Sequence, residues 1–246
     1  MALKATERFS ERAGDYRRYR PTYPTEIIEA VLDGFSAPVV ADVGAGTGIG
    51  SHLLAERASL VFAIEPNAPM REAIAPHERI RVVDATAEAT TLDNGVVDVV
   101  ASFQALHWFD RERAFHEFRR VLRVPGRVAA IWNQRDEADG FTREYDAVIA
   151  RYGERVKPVD RTHRKRDLES DFECAGYTNL RTVQVAHRQS VDWYGLIGFV
   201  RSCSYLPRSG QAYTEMETEL RELYERWADG KNVSFAWIAE AHLAER

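Results

Sequence analysis

The sequence predicts a doubly wound α/β domain, in which helices cover both faces of a parallel sheet. Short runs that are apolar on both faces alternate, through the first half of the chain, with segments whose apolar residues recur at helical spacing. In addition, the glycine-rich stretch ADVGAGTGIG, residues 41–50, includes the end of the first apolar run. A glycine-rich turn after the first strand of such a sheet forms part of a ligand site.

The first half of the chain supplies five predicted strands and the helices that connect them. The strands are expected at 39–44, 60–66, 79–86, 96–104 and 127–133, and the helices at 25–35, 49–57, 68–75 and 110–122. Thr25 and Asp110 stand where a helix N-cap is expected, and Pro125 with Gly126 follows the last of these helices. Strands joined through helices favour a parallel order.

The second half is less regular. Helices are expected at 141–153 and 167–176, an alternating strand at 179–189, two helical stretches at 190–206 and 211–229, and a last strand at 233–245. A few residues suffice to join two strands. We therefore expect the stretch 190–230 to be a helical lid insertion over a site.

Charge and composition exclude several functional classes. The net charge of −5 argues against a nucleic-acid partner, which requires a broad basic face. No apolar run approaches the roughly 18 residues of a membrane span, and the charged N-terminus lacks the apolar core of a secretion signal, so a cytoplasmic protein without a membrane partner is expected. Cys174 and Cys203 lack metal-ligand spacing and no H-x-x-x-H pattern occurs, so no metal is expected.

The glycines at 44, 46 and 48 form the pattern G-x-G-x-G. A dinucleotide site has G-x-G-x-x-G, and the last position of that pattern falls on Ile49, or on Ser51 when counting starts at Gly46. No Gly-Lys-Ser/Thr follows, which excludes a phosphate-binding P-loop. The loop by itself is also compatible with a simple tight turn.

Acidic residues follow the next two predicted strands. Glu65 ends the second strand, where a carboxylate can accept both hydroxyls of a ribose. Asp84 ends the third strand and can meet an adenine amino group, while the small Ala85 leaves the backbone accessible. Met70 can pack on an adenine face, although ordinary helix packing explains it equally well.

The motifs ADVGAGTG, AIEPNAPM, VVDATAE and VVASFQALHWF, together with the N-terminal YRRYRPTYP, resemble the class I S-adenosylmethionine-dependent methyltransferases. Within that class they are most similar to trans-aconitate methyltransferases and their relatives. The resemblance implies a seven-stranded sheet of order 3-2-1-4-5-7-6 whose seventh strand is antiparallel. It also implies S-adenosylmethionine as cofactor and a monomer or weak homodimer.

The resemblance further implies how the chain is organised and which residues bind the cofactor. It implies one methyltransferase domain over 1–246, with a covering segment at 1–24, a cofactor-binding half at 25–135 and the lid insertion at 190–230. The implied cofactor-binding residues are Tyr19, Arg20, Gly44, Ala45, Gly46, Thr47, Gly48, Glu65, Pro66, Met70, Asp84, Ala85, Glu88, Phe103 and Gln104.

Residues for the acceptor side are expected at the ends of the fourth and fifth strands. Trp108, Trp132 and Asn133, with Tyr16 of the covering segment, are the candidate substrate residues. Small carboxylic acids are the expected acceptors, and they need no base. A hydroxyl acceptor would need one, and His107 is the candidate catalytic residue. The alternatives are an acceptor hydroxyl, nitrogen or carbon on a larger metabolite, and a non-catalytic protein that binds the cofactor.

Overall fold

A seven-stranded sheet with strand order 3-2-1-4-5-7-6 forms the centre of the protein. The computed structural model describes residues 19–153, 161–203 and 205–246, and the side chains of all of these except 161–167. The strands are β1 (Val39–Val43), β2 (Leu60–Ile64), β3 (Ile80–Val83), β4 (Val97–Phe103), β5 (Leu122–Arg135), β6 (Thr178–Val191) and β7 (Val233–Glu245). The predicted fold class and strand order are confirmed.

The helices that flank the sheet follow the predicted order. They are α1 (Thr25–Leu32), α2 (Ile49–Ala55), α3 (Ala68–Glu72), α4 (Arg111–Val121), α5 (Gly140–Tyr152), α6 (Arg161–Cys174), α7 (Trp193–Ser202) and α8 (Gly210–Trp227). A 3-10 turn, Leu106–Trp108, follows β4. None of the helices in the described ranges is long and apolar enough to cross a membrane.

Two helix starts were predicted from capping side chains, and one of them is wrong. The Asp110 side chain accepts a hydrogen bond from the Arg113 backbone NH at 3.3 Å and caps α4, as predicted. Thr25 is instead the first residue of α1, and the N-cap position belongs to Pro24, which has no side-chain acceptor. Proline tolerates this place because the NH groups of the first turn have no partner within the helix.

Strands β1 to β5 run parallel, and β7 is antiparallel to both β5 and β6. The order reverses between β1 and β4, which is the place where open sheets of this kind bind ligands, beyond the carboxyl ends of the strands. Apolar residues of α1 and α2 bury one face of the sheet, and those of α4 and α6 bury the other.

A third apolar cluster lies past the carboxyl end of β5. Strands β6 and β7 stay paired as far as Val191 and Val233, beyond the last β5 pair at Arg135. Helices α5, α7 and α8, here named the cap, pack around Tyr145, Phe199 and Phe235 at this end. The predicted helices of the 190–230 insertion are therefore present, and the extended β6–β7 pair supports them; their function as a lid stays a prediction.

Candidate functional site

The glycine loop between β1 and α2 adopts a backbone that favours glycine at three positions. Gly44, Gly46 and Gly48 have φ angles of 73°, 57° and 84°, in the left-handed region that residues with a Cβ rarely adopt. A Cβ on Gly44 would also lie 2.5 Å from the Ala105 Cβ. The predicted need for glycine is thus both conformational and steric.

Glu65 holds this loop against the end of β2. Its carboxylate accepts hydrogen bonds from the backbone NH groups of Gly46 at 2.8 Å and of Asn67 at 2.9 Å. Burial raises the pKa of Glu65, and the two backbone donors and Arg71 oppose that rise. A buried carboxylate held by backbone groups is oriented in advance, as the predicted ribose role requires. That role stays a prediction.

Met70 lies against the same loop. Asn67 caps α3 by accepting a hydrogen bond from the Met70 NH at 3.0 Å, and Met70 is 5% exposed. Its methyl carbon is 3.5 Å from where a Gly46 Cβ would stand. Ala45 and Thr47 are buried in the loop itself. The thioether therefore faces the backbone that was predicted to contact the cofactor.

Arg71, which was not singled out in the sequence, ties the ends of β2 and β3 together. Its guanidinium donates to the carbonyls of Glu65 at 2.9 Å and Pro66 at 3.1 Å, and to the Asp84 carboxylate at 2.9 Å. Asp84 is exposed and Ala85 is buried beside it. In the sequence, Arg71 directly follows the motif AIEPNAPM. This position could have identified Arg71 as a site residue, because a cation there can bridge two strand ends.

Glu88 lies farther along the loop after β3. Its carboxylate accepts a hydrogen bond from the Asp110 NH at 2.9 Å and so joins that loop to the start of α4. A contact of Glu88 with the adenine end of the cofactor stays a prediction.

Asp42 is a further candidate that the sequence reasoning missed. It is fully buried in β1, and its Oδ2 accepts a hydrogen bond from the Ser51 hydroxyl at 2.6 Å. Its Oδ1 and the hydroxyl of the buried Thr47 have no hydrogen-bond partner among the described residues. Burial raises the pKa of Asp42 to about 7, Ser51 opposes the rise and Glu65 adds to it. A polar residue in an otherwise apolar strand, VVADV, was the signal.

The end of β4 carries strained backbone. Gln104 has a φ of 56°, unusual for a residue with a side chain. Its NH donates to the Ile131 carbonyl and its Nε2 to the Asn133 carbonyl, both at 2.8 Å. Such strain persists where surrounding contacts determine the conformation and is common at functional sites. The Phe103 ring packs against Gly50 of α2. Its centroid lies 4.8 Å from the centroid of the Tyr23 ring, in an edge-on arrangement.

The 3-10 turn after β4 places His107 and Trp108 on the surface. Both are exposed, and their rings lie 4.9 Å apart. Their predicted roles, as base and as substrate contact, stay predictions. Trp132 differs from them, because it is 3% exposed and packs edge-on against His242 at 5.7 Å on the α4–α6 face of the sheet. This packing gives Trp132 a structural role, and its predicted substrate contact stays a prediction.

Asn133 joins three parts of the site. Its Nδ2 donates to the Thr22 carbonyl at 2.9 Å, and its Oδ1 is 2.9 Å from Nε2 of His187. Its own carbonyl accepts from Gln104. The buried Asn133 therefore connects the end of β5 with the end of β4, with β6 and with the N-terminal segment.

The N-terminal residues 19–24, here named the strap, cross this edge of the sheet. The Tyr19 carbonyl accepts from Gln189 at 3.0 Å, and the Tyr19 ring packs on Gly198 of the cap. The Arg20 Nε donates to the Ser202 hydroxyl at 3.0 Å, and its guanidinium lies 5.3 Å from the Phe199 ring centroid. The structure thus places Arg20 on the cap, and its predicted contact with the cofactor stays a prediction. Tyr16 lies outside the described residues.

The fold, with its switch point beside a glycine loop and carboxylates at successive strand ends, defines a Rossmann-like cofactor-binding protein. Residues 41–130 match the family model of a methyltransferase domain. An uncharacterized methyltransferase of Mycobacterium tuberculosis is 36% identical over 87% of this chain and 84% of its own length. An uncharacterized methyltransferase of Schizosaccharomyces pombe is 28% identical over 97% and 96%.

Solved structures show the same fold. A protein from Anaeromyxobacter dehalogenans, proposed to be a type II methyltransferase, has a TM-score of 0.66 at 24% identity, over 92% of this chain and 98% of its own. A geranyl diphosphate methyltransferase in complex with S-adenosylmethionine has a TM-score of 0.50 at 16% identity, over 90% and 84%. The chain belongs to the class I S-adenosylmethionine-dependent methyltransferases. The narrower resemblance to trans-aconitate methyltransferases is not specifically shown.

The residues present fit S-adenosylmethionine. Among the described residues, the buried Asp42 Oδ1 and Thr47 hydroxyl have no hydrogen-bond partner; Thr47 lies in the glycine loop, Asp42 lies in the strand just before it, and Glu65 supplies a second buried carboxylate. Buried polar atoms without partners are costly, and a cation with hydroxyl groups is the kind of ligand that satisfies them. When bound, the cofactor supplies a methyl group on a positively charged sulfur. No cluster of three or more metal-binding side chains occurs in the described part of the chain.

Proposed function

We propose that the acceptor of this methyltransferase is a small molecule and that it is a small carboxylic acid. The supporting observation is a pair of arginines among aromatic rings at the carboxyl end of β5. Arg135, the last residue of β5, lies 5.5 Å from the Tyr145 ring centroid and pairs with Asp146 at 2.5 Å. Arg20 lies over Phe199 of the same cap cluster.

Cations in such surroundings suit a small anion. Arginine can grip a carboxylate through two parallel hydrogen bonds, and neighbouring rings keep water away, which strengthens the attraction. The proposed acceptor lies between the strap, the end of β4 and the cap. Asn133, Trp108 and Tyr16 would contribute to its walls.

The protein would act mainly by alignment. A carboxylate is already a nucleophile at neutral pH, so the chain needs only to hold it in line with the methyl group. Positioning of this kind can lower a barrier by about 7–11 kcal/mol. The bonds from Gln104 to β5 and from Asn133 to the strap hold the described parts of the site in one arrangement. A cytoplasmic location and a monomeric or weakly dimeric state stay part of this proposal.

A panel assay tests the acceptor class. The purified protein is incubated with methyl-labelled S-adenosylmethionine and a set of small carboxylic acids, neutral phenols and amines. We expect labelled methyl esters, which mild alkali hydrolyses to labelled methanol. Turnover of a neutral phenol or amine, without product from any acid, would contradict the proposal. Any labelled product excludes the alternative of a binding protein without activity.

Variants of two arginines test where the acid binds. Arg20→Ala is expected to raise KM for the acid while the affinity for S-adenosylhomocysteine holds, because a substrate contact is lost and the cofactor contacts remain. Arg143→Ala serves as a control, because this arginine is exposed on α5 and its guanidinium donates to the Glu137 carbonyl. Equal KM values for the two variants would remove Arg20 from the acceptor site.

A further inference from the structure

A small cavity lies between the strap, α7 and α8. Its volume is about 200 Å³, and a cavity of about 150 Å³ already holds a molecule the size of benzene. The lining includes three aromatic rings and two charged side chains, supplied by Tyr19, Trp193, Tyr194, Gly198, Arg201 and Glu217. None of these residues belongs to the glycine loop or to the ends of β1 to β5, so the cavity is distinct from the site described above.

Gly198 of α7 makes room for the strap at this cavity. A Cβ on Gly198 would lie 2.3 Å from two ring carbons of Tyr19, so the ring keeps this place only beside a glycine. Glycine within a helix is unfavourable for folding, and the contact with Tyr19 explains why α7 contains one here. The ring of a strap residue is therefore part of the lining, and a ligand that fills the cavity contacts the strap.

Glu217 of α8 adds a carboxylate without a partner to this lining. The residue is half-buried, and its carboxylate makes no hydrogen bond or ion pair with any of the described residues. Arg221 follows four residues later on the same helix, at the spacing at which a glutamate and an arginine commonly pair. The Arg221 guanidinium instead lies 3.5 Å from the centroid of the Trp193 ring. A half-buried negative charge is thus left uncompensated beside aromatic rings.

The cation in the lining, Arg201, is directed toward a different group. Its Nε and one of its terminal NH₂ groups donate to the Tyr213 hydroxyl at 3.3 and 3.1 Å. Tyr213 does not line the cavity, and Arg201 is exposed, so that water and salt screen its charge. The groups that the lining offers to a charged ligand are therefore the Glu217 carboxylate and the aromatic rings.

We propose that this cavity binds a small alkylammonium cation. Aromatic rings attract a cation over their faces, and groups of such rings recognise quaternary ammonium ligands in this way. Glu217 supplies the opposite charge, and its attraction for the cation is stronger than in bulk water because the walls exclude part of the solvent. Through Tyr19, the bound cation holds the strap against α7. The site is separate from the proposed acid acceptor and does not depend on it.

Calorimetric titration with choline tests the site. Choline carries a trimethylammonium group, and 3,3-dimethylbutan-1-ol has nearly the same shape without the charge. We expect saturable binding of choline that is at least about tenfold tighter than binding of the neutral alcohol, because only choline is attracted by the Glu217 charge. The titration is made with saturating S-adenosylhomocysteine, so that the cofactor site is filled. Displacement of choline by S-adenosylhomocysteine would place the cation in the cofactor site and would overturn the proposal.

Two variants of the lining locate the bound cation. Glu217→Gln should weaken choline binding about tenfold, because the side chain keeps its shape and loses its charge. Glu222→Gln is the matched control, since Glu222 is exposed on the same helix and does not line the cavity. Tyr194→Ala should weaken choline binding about two- to fivefold through the loss of one ring, and Tyr194 is 77% exposed, so that its removal leaves the fold intact. Unchanged melting temperatures confirm that the variants are folded.

Hydrogen exchange gives a second readout, which a cation bound elsewhere on the surface would not change. Choline should slow exchange of the strap amides in wild type and in Glu222→Gln, and much less in Glu217→Gln. Absence of saturable choline binding, or equal choline affinity of Glu217→Gln and wild type, would overturn the proposal. Unchanged exchange in the strap with choline bound would show that the cation lies away from Tyr19 and would overturn it as well.

Discussion

Replacing Asp42 with asparagine is expected to stabilise the protein at alkaline pH and to weaken cofactor binding. The carboxyl is fully buried, with one hydrogen bond from Ser51 and one oxygen without a partner in the described chain. Asparagine has nearly the same shape but carries no charge to bury. The protein therefore loses a destabilising group and, with it, an anion that a positively charged ligand can use.

The magnitude follows from the pKa of Asp42. It is about 7 in the folded protein, against 3.8 for an ordinary aspartate. A shift of roughly 3 units corresponds to about 4 kcal/mol at 1.36 kcal/mol per unit. Because the folded pKa is the higher one, the contribution of Asp42 to wild-type stability is most favourable below pH 4 and becomes increasingly unfavourable as the pH rises from about 4 to 7. Asp42→Asn removes that loss.

Denaturant unfolding without cofactor at pH 5 and pH 8.5 measures this difference. We expect the advantage of Asp42→Asn over wild type to grow by a few kcal/mol between these two pH values, because most of the wild-type loss falls within that window. Asp93→Asn, at an exposed position, controls for the change of charge. The same stability difference between Asp42→Asn and wild type at both pH values would refute a buried, titrating Asp42.

Cofactor binding is expected to show the opposite effect. A cation beside Asp42 favours the ionised carboxylate, so wild type should release protons when it binds S-adenosylmethionine near pH 7. Calorimetry in two buffers of different ionisation enthalpy counts those protons. Proton release that is equal in wild type and Asp42→Asn would remove Asp42 from the cofactor site.

Three further substitutions test the loop and the strap. Gly44→Ala should unfold at a markedly lower temperature than Gly34→Ala. Both glycines have a positive φ (73° and 84°), but only a Cβ on Gly44 would lie 2.5 Å from another side chain. Equal melting temperatures of the two variants would contradict the steric argument. Glu65→Ala should weaken binding of S-adenosylhomocysteine at least about tenfold in calorimetry, since hydrogen bonds to a charged acceptor contribute about 1.5–3 kcal/mol, whereas the exposed Glu72→Ala should not. Cofactor should slow hydrogen exchange in the strap and in 190–230, and Arg20→Ala should reduce that protection; identical exchange with and without cofactor would exclude a covering role.

Local signals in the sequence were sufficient for the sheet and the glycine loop. The strands β1 to β4 are short, mostly apolar runs, and the loop needs glycine because its own backbone adopts positive φ angles. The sequence could not reveal which way Arg20 turns, because its partner Ser202 is 182 residues away. The contact between Asn133 and His187 spans 54 residues and depends on the β5–β7–β6 register. The missed residues are therefore those whose roles arise from long-range packing.

Buried polar groups at the two ends of the sheet differ in how far the protein itself supplies their partners. At the amino end, Arg127 is 7% exposed, yet it pairs with Glu245 at 2.8 Å and donates to the carbonyls of Val31 and Asp33 at 3.0 and 2.8 Å. Its burial is compensated within the protein, and it holds the end of α1 against β5. At the carboxyl end, Asp42 is buried more completely and keeps an oxygen without a partner in the described chain. A buried group that lowers stability can be retained where the binding of a ligand compensates for that loss. Selection for stability alone would replace Asp42 before Arg127. We expect a methyltransferase to retain both residues, because Asp42 is expected to contact the cofactor.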